Sequence, residues 1–154
     1  RRQRQMCIRD RMQTAGRLKI GYYDHKLFIC LPSGRKLAYI EPEKRLNSFN
    51  RMELTYMGVG KTRKWERIMT YGPKLVENCI QAIARDILAE AMLRVDATGF
   101  DIVAHVHDEM IVEVPNGKSS VKELCDMMAE SPDWVDDKLP LRADGYECEW
   151  YRKD

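Results

Sequence analysis

At 154 residues, 44% hydrophobic and 32% charged, the chain is long enough to bury one core, and no apolar run approaches the length of a membrane span or reads as a signal peptide. Five cysteines (Cys7, Cys30, Cys79, Cys125, Cys148) follow no Cys-x-x-Cys pattern, which argues against a disulfide scaffold or structural zinc and for reduced thiols in a cytosolic setting. The net charge of +2 conceals a division: residues 1–74 carry 18 Lys/Arg against 6 Asp/Glu, and residues 75–154 carry 8 against 18. A basic half suits contact with phosphates, although most such charges on any protein simply face solvent.

The opening stretch Arg1–Arg11 has five arginines and no apolar periodicity. Residues 1–17 are therefore read as a basic leader, disordered or non-native, outside one globular portion at residues 18–154. Strands are expected from Leu18 onward. Lys26–Leu31 and Arg35–Ile40 flank the turn Pro32-Ser33-Gly34 as a hairpin, Pro42–Asn50 reads as loop, and Glu53–Met57 and Trp65–Thr70 read as strands around Gly58–Lys61. Gly72-Pro73 then has the grammar of a helix start, with glycine as N-cap and proline as first helical residue. The helix is expected to run from Pro73 to Thr98 and to stop at Gly99. Leu75, Val76, Cys79, Ile80, Ile83, Ile87, Leu88, Ala91, Met92 and Val95 form its broad apolar face, while Glu77, Gln81 and Arg85 share a polar stripe.

The chemistry is concentrated further on. Ile102–Val106 and Met110–Val114 are β-branched and apolar, and His107-Asp108-Glu109 between them is polar, the pattern of a hairpin with charge at its tip. Two carboxylates fixed at a tight turn have the geometry a divalent metal requires. On these residues alone, an ordinary polar hairpin tip explains the stretch at least as well. Ser120-Val121-Lys122-Glu123 is a capping box opening a short helix that ends before Pro132, and Leu139–Tyr151, with alternating Tyr146, Cys148 and Trp150, reads as a closing strand.

Val106-His107-Asp108-Glu109, followed by apolar residues and Pro115, resembles the third motif of the family A (polymerase I-like) DNA polymerases. Gln81–Asp86 is similar to that family's palm helix, and the likeness extends from Leu31-Pro32-Ser33-Gly34-Arg35 to Tyr146–Trp150, most closely in the bacteriophage and prophage style. It covers most of residues 18–154. The resemblance implies an α+β fold, an antiparallel sheet with helices packed on one face, as in the C-terminal part of a polymerase palm. The implied reaction is template-directed nucleotidyl transfer from a dNTP to a primer 3′-hydroxyl, assisted by two Mg²⁺ ions, with Mn²⁺ a possible substitute. On this reading Asp108 is a catalytic metal ligand and Glu109 supports the metal and primer end. His107 contacts the primer backbone, Gln81 the minor groove beside the primer terminus, and Arg85 and Arg35 the DNA. Arg85 departs from the small residue of many relatives.

Two features imitate other family motifs and fail. Tyr22-Tyr23-Asp24 lacks the Ser-x-x-Glu continuation of the first motif, and Lys64 with Tyr71-Gly72 lacks the arginine of the fingers helix. The partner aspartate and the nucleotide-binding helix are therefore expected elsewhere. The chain reads as a fragment, inactive alone, whose partners are the remainder of the polymerase, primer-template DNA and dNTP, without a membrane, in the cytoplasm of a bacterial host. Two alternatives belong to other classes. A metal-dependent hydrolase would use His105, His107 and Asp108 around zinc, but His25 is the only other histidine. A non-catalytic DNA-binding module would show salt-dependent duplex binding without metal dependence.

Overall fold

The computed structural model describes residues 12–136 and 139–151. Strands β1 (Gln13–Ala15), β2 (Leu18–Tyr23), β3 (Lys26–Cys30), β4 (Lys36–Leu46), β5 (Met52–Val59) and β6 (Trp65–Thr70) form one antiparallel sheet in chain order. Helix α1 (Gly72–Ala97) follows, then a separate two-stranded sheet of β7 (Asp101–Val106) and β8 (Glu109–Glu113), then helix α2 (Val121–Ala129). The architecture is α+β with antiparallel pairing, as expected, but the described residues form two sheets rather than one. It divides into two compact units between Ile83 and Ala84, inside α1.

In the first unit, Leu27 pairs with Tyr39 and Ile29 with Leu37, so alternate residues of β3 and β4 present one apolar face. Ile29, Leu31 and Tyr39 are buried there with Cys79 and Ala82 from the beginning of α1. Burying each large aliphatic side chain contributes about 1.5–3 kcal/mol. Tyr39 meets Tyr56 edge to face at 5.1 Å and accepts a hydrogen bond from Asn78 Nδ2 at 3.3 Å. Burial pushes the Tyr39 hydroxyl and the Cys79 thiol up from their ordinary values, with the Asn78 hydrogen bond opposing the shift at Tyr39.

Several expectations need correction. Gln13–Ala15 pairs with Leu18–Ile20 around a turn with Gly16 at φ 59°, so residues 13–15 of the supposed leader belong to the sheet and Gly16 and Arg17 to its first turn; residues 1–11 lie outside the described residues. The Pro42–Asn50 loop is instead largely strand. Proline cannot donate to a ladder, yet β4 carries Pro42 at a register shift between Ile40 and Glu43, with Glu41 at φ 44°. Arg67 Nη1 closes this bulge by donating to the Glu41 carbonyl at 3.0 Å and to Thr55 Oγ1 at 3.2 Å. On α1, Val76 and Ile80 are 57% and 61% exposed: the predicted apolar face is broader than the surface that covers it.

In the second unit, Leu88, Ala91 and Val95 are buried at three- and four-residue spacings together with Val135. Arg94 Nη1 donates to the carbonyls of Met127 at 2.5 Å and Glu130 at 3.1 Å, and its Nε lies 3.2 Å from the Glu130 carboxylate. A cation thus satisfies carbonyls at the C-terminal end of α2, where the helix dipole favours it. Trp134 Nε1 donates to Glu90 at 2.6 Å. Ser120 caps α2 by accepting from Glu123 N at 3.2 Å, as its sequence indicates. The expected closing strand does not form. Residues 139–151 hold no regular element, and Gly145 passes so close to α2 that an added Cβ would lie 3.1 Å from Val121 and 3.3 Å from Cys125. Alternation without a partner edge makes no ladder.

Candidate active site

The β7–β8 hairpin follows from its sequence. Ile102, Met110, Ile111 and Val112 are half-buried, and the ladder closes with Val106 opposite Glu109. That pairing leaves His107 and Asp108 as a two-residue loop, with His107 at φ 54°. A positive φ at the first loop position matches the right-handed twist of the strands. Glu109, expected in the turn, is the first residue of β8.

Asp108 in the loop and Glu109 at the start of β8 both face solvent, since Val106 through Glu109 are all exposed. Among the described residues, neither Asp108 nor Glu109 makes a side-chain hydrogen bond or ion pair. At the other end of the hairpin Asp101 faces Glu113, a like-charged pair that adds to the negative field. Hard, unpaired carboxylate oxygens at a fixed turn fit part of the shell of Mg²⁺, which takes carboxylates and keeps several waters. No group of three or more His, Cys, Asp or Glu converges to hold a metal among the described residues.

His105 sits beside the site rather than in it. Arg85 Nη1 is 3.3 Å from His105 Nδ1, and Nη2 is 3.5 Å from Nε2, so the guanidinium lies along both ring nitrogens. Spacing could not reveal this contact across 20 residues of chain. The second unit therefore brings together Arg85, His105, and the hairpin bearing His107, Asp108 and Glu109.

Gln81 and Arg35 belong to the first unit. Gln81 is exposed, and its Nε2 donates to Glu77 Oε1 at 3.2 Å, while Lys74 pairs with the other Glu77 oxygen at 2.9 Å. Arg35 Nη2 donates to the Ala82 carbonyl at 2.7 Å, so part of this guanidinium ties the β3–β4 turn to α1. Sequence reasoning assigned Arg35 to DNA and missed that structural role.

Over 129 residues, 83% of its length, the chain is 46% identical to a protein of Bacillus phage SP02. That relative is a DNA polymerase. The chain spans 20% of the relative's length. No family profile and no solved structure matches the chain. No helix among the described residues is long and apolar enough to cross a membrane.

Proposed function

We propose that this chain is the C-terminal palm portion of a family A DNA polymerase of bacteriophage type, acting in a bacterial cytoplasm. The observation that carries the reading is the adjacent pair Asp108 and Glu109, without side-chain partners among the described residues where the two-residue loop meets β8, in a chain 46% identical over 129 residues to a phage polymerase. Asp108 holds a divalent metal, and Glu109 supports the metal and the primer end. His107 contacts the primer backbone, and Gln81 exchanges its Glu77 partner for the minor-groove acceptors that every correct base pair presents. Arg85, braced by His105, and Arg35 contribute positive charge toward the DNA.

The primer 3′-hydroxyl oxygen bonds to the α-phosphorus of a dNTP and gives up its proton to water, the bond from that phosphorus to the bridging oxygen breaks, and pyrophosphate leaves. Asp108 and Glu109 would help hold Mg²⁺, which would supply Lewis-acid activation of the hydroxyl and charge neutralisation at the leaving group. Two carboxylates leave most of an octahedral shell to water, so this segment alone holds the ion weakly and does not polymerise. The catalytic unit requires further ligands from the rest of a polymerase chain.

The test grafts the matched stretch into the phage SP02 polymerase in place of its counterpart. Templated primer extension by the chimera, with none by the isolated chain, is expected. Asp108→Asn in the chimera should lower the rate by more than the roughly 10–100-fold that outer-shell partners of metal sites are worth. Extension by the isolated chain, or an unchanged rate in the Asp108→Asn chimera, would overturn the reading. The hydrolase alternative is weakened by Arg85 lying along both nitrogens of His105.

A further inference from the structure

We propose that the β5–β6 hairpin tip is a binding site for single-stranded nucleic acid, with Trp65 as a stacking platform and Lys61, Arg63 and Lys64 as phosphate contacts. This goes beyond the polymerase reading and does not rest on it. Val59 pairs with Trp65 as the last rung of the ladder, and the two are 63% and 60% exposed. The loop beyond is tight: Arg63 N donates to the Gly60 carbonyl at 3.0 Å and Gly60 N to the Lys64 carbonyl at 2.9 Å. Lys61, Arg63 and Lys64 are all exposed, and among the described residues none of their side chains has an acidic partner. Glu66, the one acid beside them, folds over Gly60 into space that a Cβ would fill.

Arg63 brings charge to the loop at a conformational cost. It stands at φ 60°, where a side chain with a Cβ is strained and glycine or asparagine is preferred. The preceding loop of the same sheet has the same closing bonds, Asn50 N to the Asn47 carbonyl and Asn47 N to the Arg51 carbonyl, and places Asn50 at φ 57° in that position. An arginine there gains nothing for the backbone, whereas it adds a cation beside two lysines and an exposed indole. Unpaired bases offer faces to stack on and phosphates to neutralise, which is the combination that single-strand sites use. In a duplex the base faces are already stacked on one another, so Trp65 gains nothing from it.

Fluorescence titrations of the chain, in chelator and without nucleotide, with oligothymidine, oligouridine and a duplex of equal length provide the test. The single strands should bind more tightly than the duplex, and the two oligomers distinguish DNA from RNA as the source. Trp65→Ala should weaken binding by about 5–150-fold, the range of one lost base stack, while Trp65→Phe retains most of the affinity. Replacing Lys61 and Lys64 by alanine together with Arg63→Gly should flatten the salt dependence by about 2 in log–log slope, at roughly 0.7 per phosphate contact. Arg63→Gly also relieves the backbone, so loss of binding in that variant cannot be misfolding. Affinity unchanged in both Trp65→Ala and Arg63→Gly, or duplex binding as tight as single-strand binding, would overturn the proposal. Either result leaves the primer-extension test of Asp108 standing.

Discussion

The guanidinium of Arg85 lies along the ring of His105, 3.3 Å from Nδ1, joining α1 to the hairpin that bears the acidic tip. The contact is solvent-exposed, so its worth to the fold is small. A double-mutant cycle of Arg85→Ala and His105→Ala, read by urea unfolding, should give a coupling of about 0.2–1 kcal/mol. In the chimeric polymerase both single variants should raise KM for DNA with less effect on kcat. A coupling of several kcal/mol would make the pair a structural strut instead.

Arg94 stands in a different balance. Its side chain is 23% exposed and feeds two carbonyls and one carboxylate at the end of α2. Arg94→Ala leaves those acceptors without their cation and should cost about 1.5–3 kcal/mol in chemical denaturation. Arg94→Lys should recover only part, because one ammonium cannot reproduce the spread of the fork.

Thr70 offers a change in the opposite direction. It is 2% exposed, and its hydroxyl has no hydrogen-bond partner among the described residues. Replacing an unpaired buried hydroxyl by a methyl group removes a desolvation penalty at constant shape. Thr70→Val should therefore raise Tm, by an amount corresponding to about 1 kcal/mol. A lower Tm would show that the hydroxyl is satisfied in solution.

Stability should fall on the alkaline side through the core of the first unit. Burial raises the folded-state values of both Tyr39 and Cys79, so the folded state binds their protons more tightly than the unfolded chain does. Their contribution is complete below the unfolded values, near 9 for the thiol and 10 for the phenol, and is lost as pH rises through the raised folded values. Tyr39→Phe should flatten the decline in unfolding free energy measured across this range. An equally steep decline in Tyr39→Phe would assign the effect to other groups.

The residues that made the fold legible are those whose signal is local. The turn Pro32-Ser33-Gly34, the helix start at Gly72-Pro73, the stop at Gly99 and the Ser120 cap are written in neighbouring positions, and each lies within a residue or so of its expected place. What could not be read depends on distant partners. Pro42 marked a loop until Arg67, 25 positions on, held its bulge in the sheet. The alternation from Tyr146 to Trp150 marked a strand, but the segment passes against α2 at Gly145. The candidate site divides in the same way. The tip residues His107, Asp108 and Glu109 were evident from polarity between two apolar runs, whereas the commitments of Arg35 to Ala82 and Arg85 to His105 lie 47 and 20 residues apart in sequence.

The strand order of the larger sheet has a consequence for biosynthesis. Each strand is bonded to the one made just before it, so every new rung closes only a short loop and loses little chain entropy. Such a sheet can zip up hairpin by hairpin as successive strands leave the ribosome. Ribosome-stalled chains in which a linker long enough to span the exit tunnel follows α1 should therefore already resist protease within β2 to β6.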